Sequence, residues 1–130
     1  MPTVLVADDT ASIRFLIRTN LELAGFDVRE AVDGVDCLER LRDSADADDL
    51  PDIITVDVMM PRQDGVSTVQ AIRADPRLAH LGVVMVSTQN LSADIQRGLD
   101  AGVDAYVTKP FDPDHLVATV REVIERRSQA

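Results

Sequence analysis

Short apolar runs alternate along the chain with longer stretches in which apolar residues recur every three or four positions. The short runs are rich in β-branched residues and end at polar side chains, which predicts strands. The longer stretches predict amphipathic helices, because residues three or four apart lie on one face of a helix. The predicted strands are residues 3–7, 26–30, 53–56, 83–86 and 103–107.

A helix is predicted after each of these strands. The first helix ends at Gly25, and the fourth, over residues 91–101, ends at Gly102, since glycine is common just past a helix end. The acidic segment 43–50, which Pro51 closes, predicts a solvated loop after the second helix. The apolar positions that mark the second, third and last helices are Val35, Leu38 and Leu41, then Val66, Val69 and Ile72, then Leu116, Val117, Val120, Val123 and Ile124.

Strands that alternate with helices predict a parallel sheet, because parallel strands need a crossover connection. The first, third and fourth predicted strands are apolar almost throughout, as is typical of strands covered on both faces. We therefore expect an α/β, doubly wound (βα)5 fold of the flavodoxin-like kind, with three layers and strand order 2-1-3-4-5. The sequence shows no internal repeat and no linker, so residues 1–130 are predicted to form one domain.

Composition narrows the range of functions. The 130 residues carry 23 acidic and 13 basic side chains, a net charge of −10 at pH 7, so direct binding of nucleic acid by this chain is not expected. The single cysteine, Cys37, cannot form an intrachain disulfide, which favours a cytoplasmic location. No apolar run is as long as a membrane span, and the first residues lack the basic start of a signal peptide. His80 and His115 share no metal-ligand spacing, which predicts that they lie on the surface.

Polar side chains follow the predicted strands where each of them ends. Asp8 and Asp9 follow the first strand, Asp57 follows the third, Ser87 follows the fourth, and Lys109 lies in the turn after the fifth. In a doubly wound sheet, ligands bind beyond the carboxyl ends of the strands where the strand order reverses, here between strands 1 and 3. We therefore expect three carboxylates, a hydroxyl and an ammonium group to meet at one rim.

A cluster of three carboxylates has a physical requirement. The carboxylates repel one another, so at least one takes up a proton unless a cation lies among them. Oxygen ligands suit a hard divalent ion, and Mg²⁺ is the natural candidate because it needs few protein ligands. With Lys109, such an ion would attract a phosphoryl group, to which Ser87 could donate a hydrogen bond, and one carboxylate would be the nucleophile. The sequence contains no glycine-rich dinucleotide motif, no P-loop and no nucleophile elbow.

Four motifs in chain order carry a family resemblance. They are Val-Leu-Val-Ala-Asp8-Asp9, then Asp57-Val-Met-Met-Pro61 with Asp64-Gly65, then Ser87, then Tyr106-Val-Thr-Lys109-Pro110-Phe111. In this order and at these strand ends, they resemble the receiver domain of response regulators in two-component signalling. The resemblance covers essentially the whole chain and is greatest to the short chemotaxis-type regulator that stands alone.

The resemblance implies a role for each acidic residue at the rim. Asp57 matches the phosphorylated aspartate and a metal ligand, Asp9 matches a direct Mg²⁺ ligand, and Asp8 supports the ion, often through water. The backbone carbonyl of Met59 matches the third protein ligand. Purely structural alternatives stay open: Asp8 or Asp9 could cap the first helix, and Asp57 could be an ordinary loop carboxylate.

Three further residues match the parts of the family that bind phosphate and transmit its presence. Ser87 matches the switch hydroxyl, Lys109 the lysine that pairs with the phosphate, and Tyr106 the aromatic ring that turns inward when the hydroxyl moves. The peptide between Lys109 and Pro110 is implied to be cis, an isomer that costs little before proline. The structural alternatives are a turn serine, a solvated lysine and a packing tyrosine.

Several positions depart from the family pattern. Receivers that dimerise on DNA through helix 4, strand 5 and helix 5 carry an acidic residue and an arginine where this chain has Ala105 and Thr119. Because the net charge also opposes self-association, we expect a monomer or a weak dimer. Thr88 stands where the family usually has alanine, and its stiff side chain, with Met59 and Gln89 beside it, should narrow access to the rim. We therefore expect slow gain and slow loss of a phosphoryl group.

The leading hypothesis is a signalling switch. A histidine kinase or phosphotransfer protein would phosphorylate Asp57, and the surface of helix 4, strand 5 and helix 5 would change to bind an output protein. The chain would then be no enzyme beyond its own phosphorylation and slow autodephosphorylation. The alternatives are a receiver fragment of a longer regulator with DNA-binding or enzymatic output, a small Mg²⁺-dependent phosphohydrolase and a flavin-binding module. The last two typically carry Asp-x-Asp or a Ser/Thr-rich loop after strand 1, where this chain has Asp8-Asp9.

Overall fold

The computed structural model describes residues 2–89 and 91–128, in which five strands alternate with five helices. The sheet is parallel throughout and has the predicted strand order, β2-β1-β3-β4-β5. None of the described helices combines the length and the apolar character needed to cross a membrane. The strands are β1 (Thr3–Ala7), β2 (Asp27–Ala31), β3 (Ile53–Val56), β4 (Gly82–Ser87) and β5 (Ala105–Thr108). The helices are α1 (Ala11–Leu23), α2 (Gly34–Asp46), α3 (Gly65–Ala74), α4 (Ser92–Ala101) and α5 (Pro113–Ser128).

Helices cover both faces of the sheet, and each face has its own hydrophobic core. Leu5 and Ile54 belong to the core under α2, α3 and the end of α4. Val4 and Ile53, their neighbours along the same strands, belong to the core under α1 and α5, because successive side chains of a strand point to opposite faces. β1, β3 and β4 are buried along nearly their whole length, as predicted. These buried strands fix the positions of the residues that follow the strand ends.

The prediction of a loop over residues 43–50 was wrong in its first half, since α2 continues to Asp46. Leu41 and Ala45 lie one helical turn apart and both pack against the core, so burial of this face extends the helix. Asp48, with a φ of 54°, lies in the left-handed region beyond the end of α2. Only residues 47–50 of the acidic segment therefore belong to the connection between α2 and β3.

Two predicted strands began too early because the preceding helix still holds their first residues. The N–H of Phe26 donates to the Leu21 carbonyl at 3.1 Å, and that of Val103 donates to the Gly98 carbonyl at 3.2 Å. Such bonds satisfy the last carbonyls of a helix, and they follow glycines with φ angles of 97° (Gly25) and 113° (Gly102). β2 therefore begins one residue later than predicted and β5 begins two residues later.

Candidate functional site

The carboxyl ends of β1, β3, β4 and β5 bring the polar residues of the predicted rim together. The sheet ladder continues to two of them, since the N–H of Asp8 donates to Ala31 at 3.2 Å and that of Asp57 donates to Ala7 at 3.1 Å. These bonds fix the first atoms of both side chains relative to the sheet. One carboxylate oxygen from each of Asp8, Asp9 and Asp57 lies within 4.8 Å of the others.

Lys109 provides the positive charge of this cluster. Its Nζ donates to Asp8 Oδ2 at 2.9 Å and to Asp57 Oδ2 at 3.3 Å. Asp8 and Asp57 are only 1 % and 8 % exposed, whereas Asp9 is exposed. Three carboxylates and one ammonium group leave a formal charge of −2 at the site, which is the charge that a divalent cation neutralises.

The two buried carboxylates are held differently. Asp8 is occupied on both oxygens, because Oδ1 accepts from the Thr10 N–H at 2.9 Å while Oδ2 accepts from Lys109. Asp57 Oδ1 accepts only a long bond, 3.4 Å, from the Met59 N–H. Burial raises the pKa of Asp57, the Lys109 ammonium lowers it, and the nearby Asp8 charge raises it, with a net increase. Asp57 is thus a poorly solvated carboxylate with few hydrogen bonds.

The Gln89 peptide connects Ser87 with Tyr106. Ser87 is completely buried, and its Oγ accepts from the Gln89 N–H at 3.1 Å. The Tyr106 hydroxyl donates to the Gln89 carbonyl at 2.6 Å, so the half-buried ring already points toward the β4–α4 loop. The implied movement of Tyr106 remains a prediction. The backbone N–H of Lys109 donates to the Ser87 carbonyl at 2.7 Å, which ties the fifth strand end to the fourth.

An open cleft of about 470 Å³ leads from solvent to the acidic cluster. Thr88 is exposed and Met59 is 63 % exposed, and both line this cleft as expected. The Gln89 side chain reaches the rim through Met59, since its Nε2 lies 3.5 Å from the Met59 sulfur. The Lys109–Pro110 peptide is cis, the isomer that the resemblance implied. The residues that line the cleft are Asp9, Thr10, Ile13, Asp57, Met59, Thr88, Lys109 and Pro110.

Comparison with known proteins decides the family. The chain matches the response regulator receiver domain over residues 4–121. It belongs to this family. Receiver domains of response regulators interact with histidine kinases. Membership of this family decides against the phosphohydrolase and the flavin module as alternatives.

The receiver domain is similar to several regulators and to solved receiver structures. It is 40% identical over 127 residues to the DNA-binding dual master transcriptional regulator RpaA of Synechocystis, covering 97% of this chain and 50% of that protein. It is 42% identical over 127 residues to the transcriptional regulatory protein CseB of Streptomyces coelicolor, covering 98% and 51%. The receiver domain of Francisella response regulator 1452 superposes with a TM-score of 0.85 at 34% identity, covering 97% of this chain and 98% of that one. The chemotaxis protein CheY4 of Vibrio cholerae superposes with a TM-score of 0.85 at 31% identity, covering 95% and 98%.

The chain spans about half the length of the curated relatives it matches. Their names are those of transcriptional regulators, and RpaA is named as DNA-binding. The expectation of no nucleic-acid partner came from the charge of residues 1–130, and it does not extend to proteins of twice that length. For the curated relatives, one of which is named as DNA-binding, that expectation does not hold.

One ion pair near the rim of the receiver domain was not predicted from the sequence. Arg62, in the β3–α3 loop, donates to both carboxylate oxygens of Asp33 at 2.7 and 3.0 Å. Asp33 is 6 % exposed and also accepts from the Asp36 N–H at the start of α2, and the Arg62 guanidinium lowers its pKa. Arg62 has a φ of 64°, an unusual value for a residue with a side chain. The Asp33-x-x-Asp36 pattern predicts a helix cap, but nothing in the sequence links it to a residue 29 positions away.

Gly65 allows the β3–α3 loop to close over the strand end. A Cβ atom at this position would clash with the Asp57 carbonyl oxygen, because it would lie closer than any side chain permits. The Gly65 N–H donates to the Val58 carbonyl at 2.9 Å, which seals the loop. The motif Asp64-Gly65, quoted above for the resemblance, thus has a steric cause in the approach of α3 to Asp57.

Proposed function

We propose that this receiver domain is a phospho-accepting switch in which Asp57 takes a phosphoryl group from a phosphorylated histidine. The observation that carries the proposal is the difference between the two buried carboxylates. Both oxygens of Asp8 are engaged in bonds of 2.9 Å, whereas Asp57 lies on the cleft with one long bond to Oδ1. Asp57 is therefore the carboxylate from which an oxygen lone pair can reach an incoming phosphorus atom.

The donor set fits a hard divalent cation such as Mg²⁺. Three oxygens from separate carboxylates lie within 4.8 Å of one another, and their charge exceeds that of Lys109 by two. Asp9 and Asp57 would hold the ion, with Asp8 behind them and the Met59 carbonyl as a further ligand. When bound, the ion supplies positive charge that attracts phosphoryl oxygens.

The residues of the chain account for the remaining chemistry. An Asp57 carboxylate oxygen attacks phosphorus, the new P–O bond forms, and the P–N bond to the donor imidazole breaks as the imidazole leaves and takes up a proton. The Lys109 ammonium, now shared between two carboxylates, would pair with phosphoryl oxygens. The Ser87 hydroxyl has its proton available for donation, because its oxygen is the acceptor of the Gln89 N–H. Acetyl phosphate could replace the kinase as donor, and water could later hydrolyse the acyl phosphate slowly.

The test is labelling by acetyl phosphate, measured by intact-mass spectrometry with and without Mg²⁺. We expect one added phosphoryl group in the wild type, none in Asp57→Asn, and none when the metal is chelated. Asp48→Asn is the matched control, since Asp48 is exposed and its left-handed backbone suits asparagine. Equal labelling of Asp57→Asn and Asp48→Asn would refute the assignment of Asp57.

We propose that the output is regulation of transcription by a DNA-binding unit that is not part of residues 1–130. The names of the relatives support this, together with their length. The surface of α4, β5 and α5 would carry the signal, since Tyr106 lies on β5 and contacts the β4–α4 loop. Fusion of the receiver to the DNA-binding unit of one such relative should make DNA binding depend on phosphorylation, and an unchanged affinity would contradict the proposal.

A further inference from the structure

The Tyr106 ring lies in a slot on α4 that exists because residue 98 has no side chain. Gly98 is buried in the interior of α4. A Cβ atom there would lie 3.2 and 3.3 Å from Cδ2 and Cε2 of Tyr106 and 3.1 Å from the Met85 sulfur. These distances are shorter than ordinary van der Waals contacts between such atoms. With any larger residue at position 98, the Tyr106 ring or the Met85 sulfur would have to move by a few tenths of an ångström.

Packing against Tyr106 and Met85 explains why a glycine occupies this position. Gly98 lies within α4, where glycine is the least favourable residue after proline. The glycines with left-handed φ angles are Gly25 and Gly102, so backbone conformation does not require glycine at 98. Met85 and Tyr106 are paired across β4 and β5, and together they form the floor on which this turn of α4 rests.

The slot also determines what the Tyr106 hydroxyl can reach. With the ring under Gly98, the hydroxyl donates to the Gln89 carbonyl at 2.6 Å. The N–H of the same residue donates to Ser87 Oγ at 3.1 Å. Gln89 is therefore held by Ser87 at its N–H and by Tyr106 at its carbonyl, and a ring displaced from the slot would lose the second of these bonds.

We infer that Gly98 is a positioning residue that keeps the Tyr106 ring inside and lets it hold the Gln89 carbonyl before any phosphoryl group is bound. The position of the Tyr106 ring depends on the packing of α4 against β5 and does not depend on the function of Asp57. Its importance for signalling rests on the proposed function of Asp57. If Ser87 contacts the phosphoryl group, a ring held inside favours the phosphorylated state, and by reciprocity a displaced ring disfavours it.

The tyrosine content of the chain makes the ring position measurable. The sequence has one tyrosine and no tryptophan, so tyrosine emission reports on Tyr106 alone. In Gly98→Ala we expect acrylamide to quench this emission more strongly than in the wild type, with N-acetyltyrosinamide as the reference for a fully exposed ring. Gln96→Ala is the matched control, because Gln96 is an exposed residue of the same helix, and we expect its protection from quenching to be unchanged. Unchanged protection in Gly98→Ala would overturn the inference.

Thermal unfolding gives a second readout. The direction in which Gly98→Ala shifts the unfolding midpoint distinguishes a steric conflict with Tyr106 from the effect of helix propensity alone. Alanine is a better helix former than glycine, so without a steric conflict Gly98→Ala would raise the unfolding midpoint. We expect no rise in the wild-type background. In a Tyr106→Val background, which removes the ring atoms at the contact, we expect the same substitution to raise the midpoint. A rise of equal size in both backgrounds would overturn the inference, even if the single variant folds poorly.

Labelling by acetyl phosphate connects the ring position to the switch. We expect Gly98→Ala to reach a lower steady-state fraction of labelled protein than Gln96→Ala. A wild type that is never labelled would refute the proposed function, while the quenching and unfolding tests of the slot would stand. A wild type that is labelled, beside a Gly98→Ala variant with full protection and full labelling, would refute the role of Gly98.

Discussion

Replacing Lys109 by methionine should destabilise the metal-free protein strongly, because it removes a buried positive charge from between two carboxylates. The Nζ lies 2.9 Å from Asp8 Oδ2 and 3.3 Å from Asp57 Oδ2, and the Lys109 side chain is 11% exposed. At an effective dielectric constant of about 20, each contact is worth about 5 kcal/mol of Coulomb attraction before desolvation is counted. Removing one partner of a buried ion pair costs about 3–5 kcal/mol in measured cases. Because Asp57 can take up a proton, we expect a loss of about 3 kcal/mol at neutral pH.

The pH dependence of this loss follows from the raised pKa of Asp57. A carboxyl group whose pKa is higher in the folded than in the unfolded state binds more protons when folded, so stability falls as pH rises from the ordinary pKa through the raised one. The positive charge of Lys109 opposes this increase, so the pKa of Asp57 should rise further when Lys109 is removed. The stability difference between wild type and Lys109→Met should therefore shrink as pH falls through this window. Added Mg²⁺ should also shrink it, since a cation that binds only the folded state stabilises that state by mass action.

The assay is urea unfolding followed by far-ultraviolet circular dichroism, in low salt with a chelator, at neutral and at mildly acidic pH. Arg40→Met is the matched control, since Arg40 forms an exposed ion pair with Asp36 at 2.9 Å, of a kind worth about 0.3–0.5 kcal/mol. A Lys109→Met variant that loses no more stability than Arg40→Met would refute the electrostatic account of the site. A deficit that widens as pH falls would refute the sign of the argument.

Three further predictions concern access, packing and association. In Thr88→Ala, gain of a phosphoryl group from acetyl phosphate and its loss should both be faster than in the wild type, because Thr88 lines the cleft, and timed mass spectrometry measures both rates. Thr55→Val should stabilise the protein by about 1 kcal/mol in urea unfolding, because the buried Thr55 hydroxyl has no partner among the described residues and valine has the same shape. Light scattering of the unphosphorylated chain at micromolar concentration should give a monomer or a weak dimer, because the net charge of −10 opposes association.

The part of the site that could be predicted from the sequence is the part that the strand ends determine. Asp8 and Asp57 follow apolar runs directly, and in a parallel sheet all such ends meet at one edge, so the pattern predicts their proximity. The extension of α2 through Asp46 was missed for a different reason. A run of acidic residues is typical of a loop, and the burial of Ala45 that favours the helix depends on tertiary packing.

The contacts that surround the site could not be predicted, because they join segments that no sequence periodicity relates. Arg62 and Asp33 are 29 residues apart, and either alone is an ordinary polar residue of a connection. The slot at Gly98 requires α4 to lie over β5 at a distance set by both cores. In the sequence, a glycine in a helical stretch indicates only a lower helix propensity. The packing of the Tyr106 ring against Gly98 is seen only in the structure.

The choice of cations across the molecule gives a last argument about the site. The chain has twelve arginines and a single lysine, Lys109. Arginine presents a planar fork whose two parallel N–H groups suit the two oxygens of one carboxylate, as Arg62 does with Asp33. An ammonium group is a compact charge whose three donors point in different directions, so one nitrogen can contact carboxylates from β1 and β3 together. Such a nitrogen can exchange one acceptor oxygen for another without a change in the position of the side chain. The proposed function would use this property, because the site would hold two carboxylates when empty and a phosphoryl group when occupied.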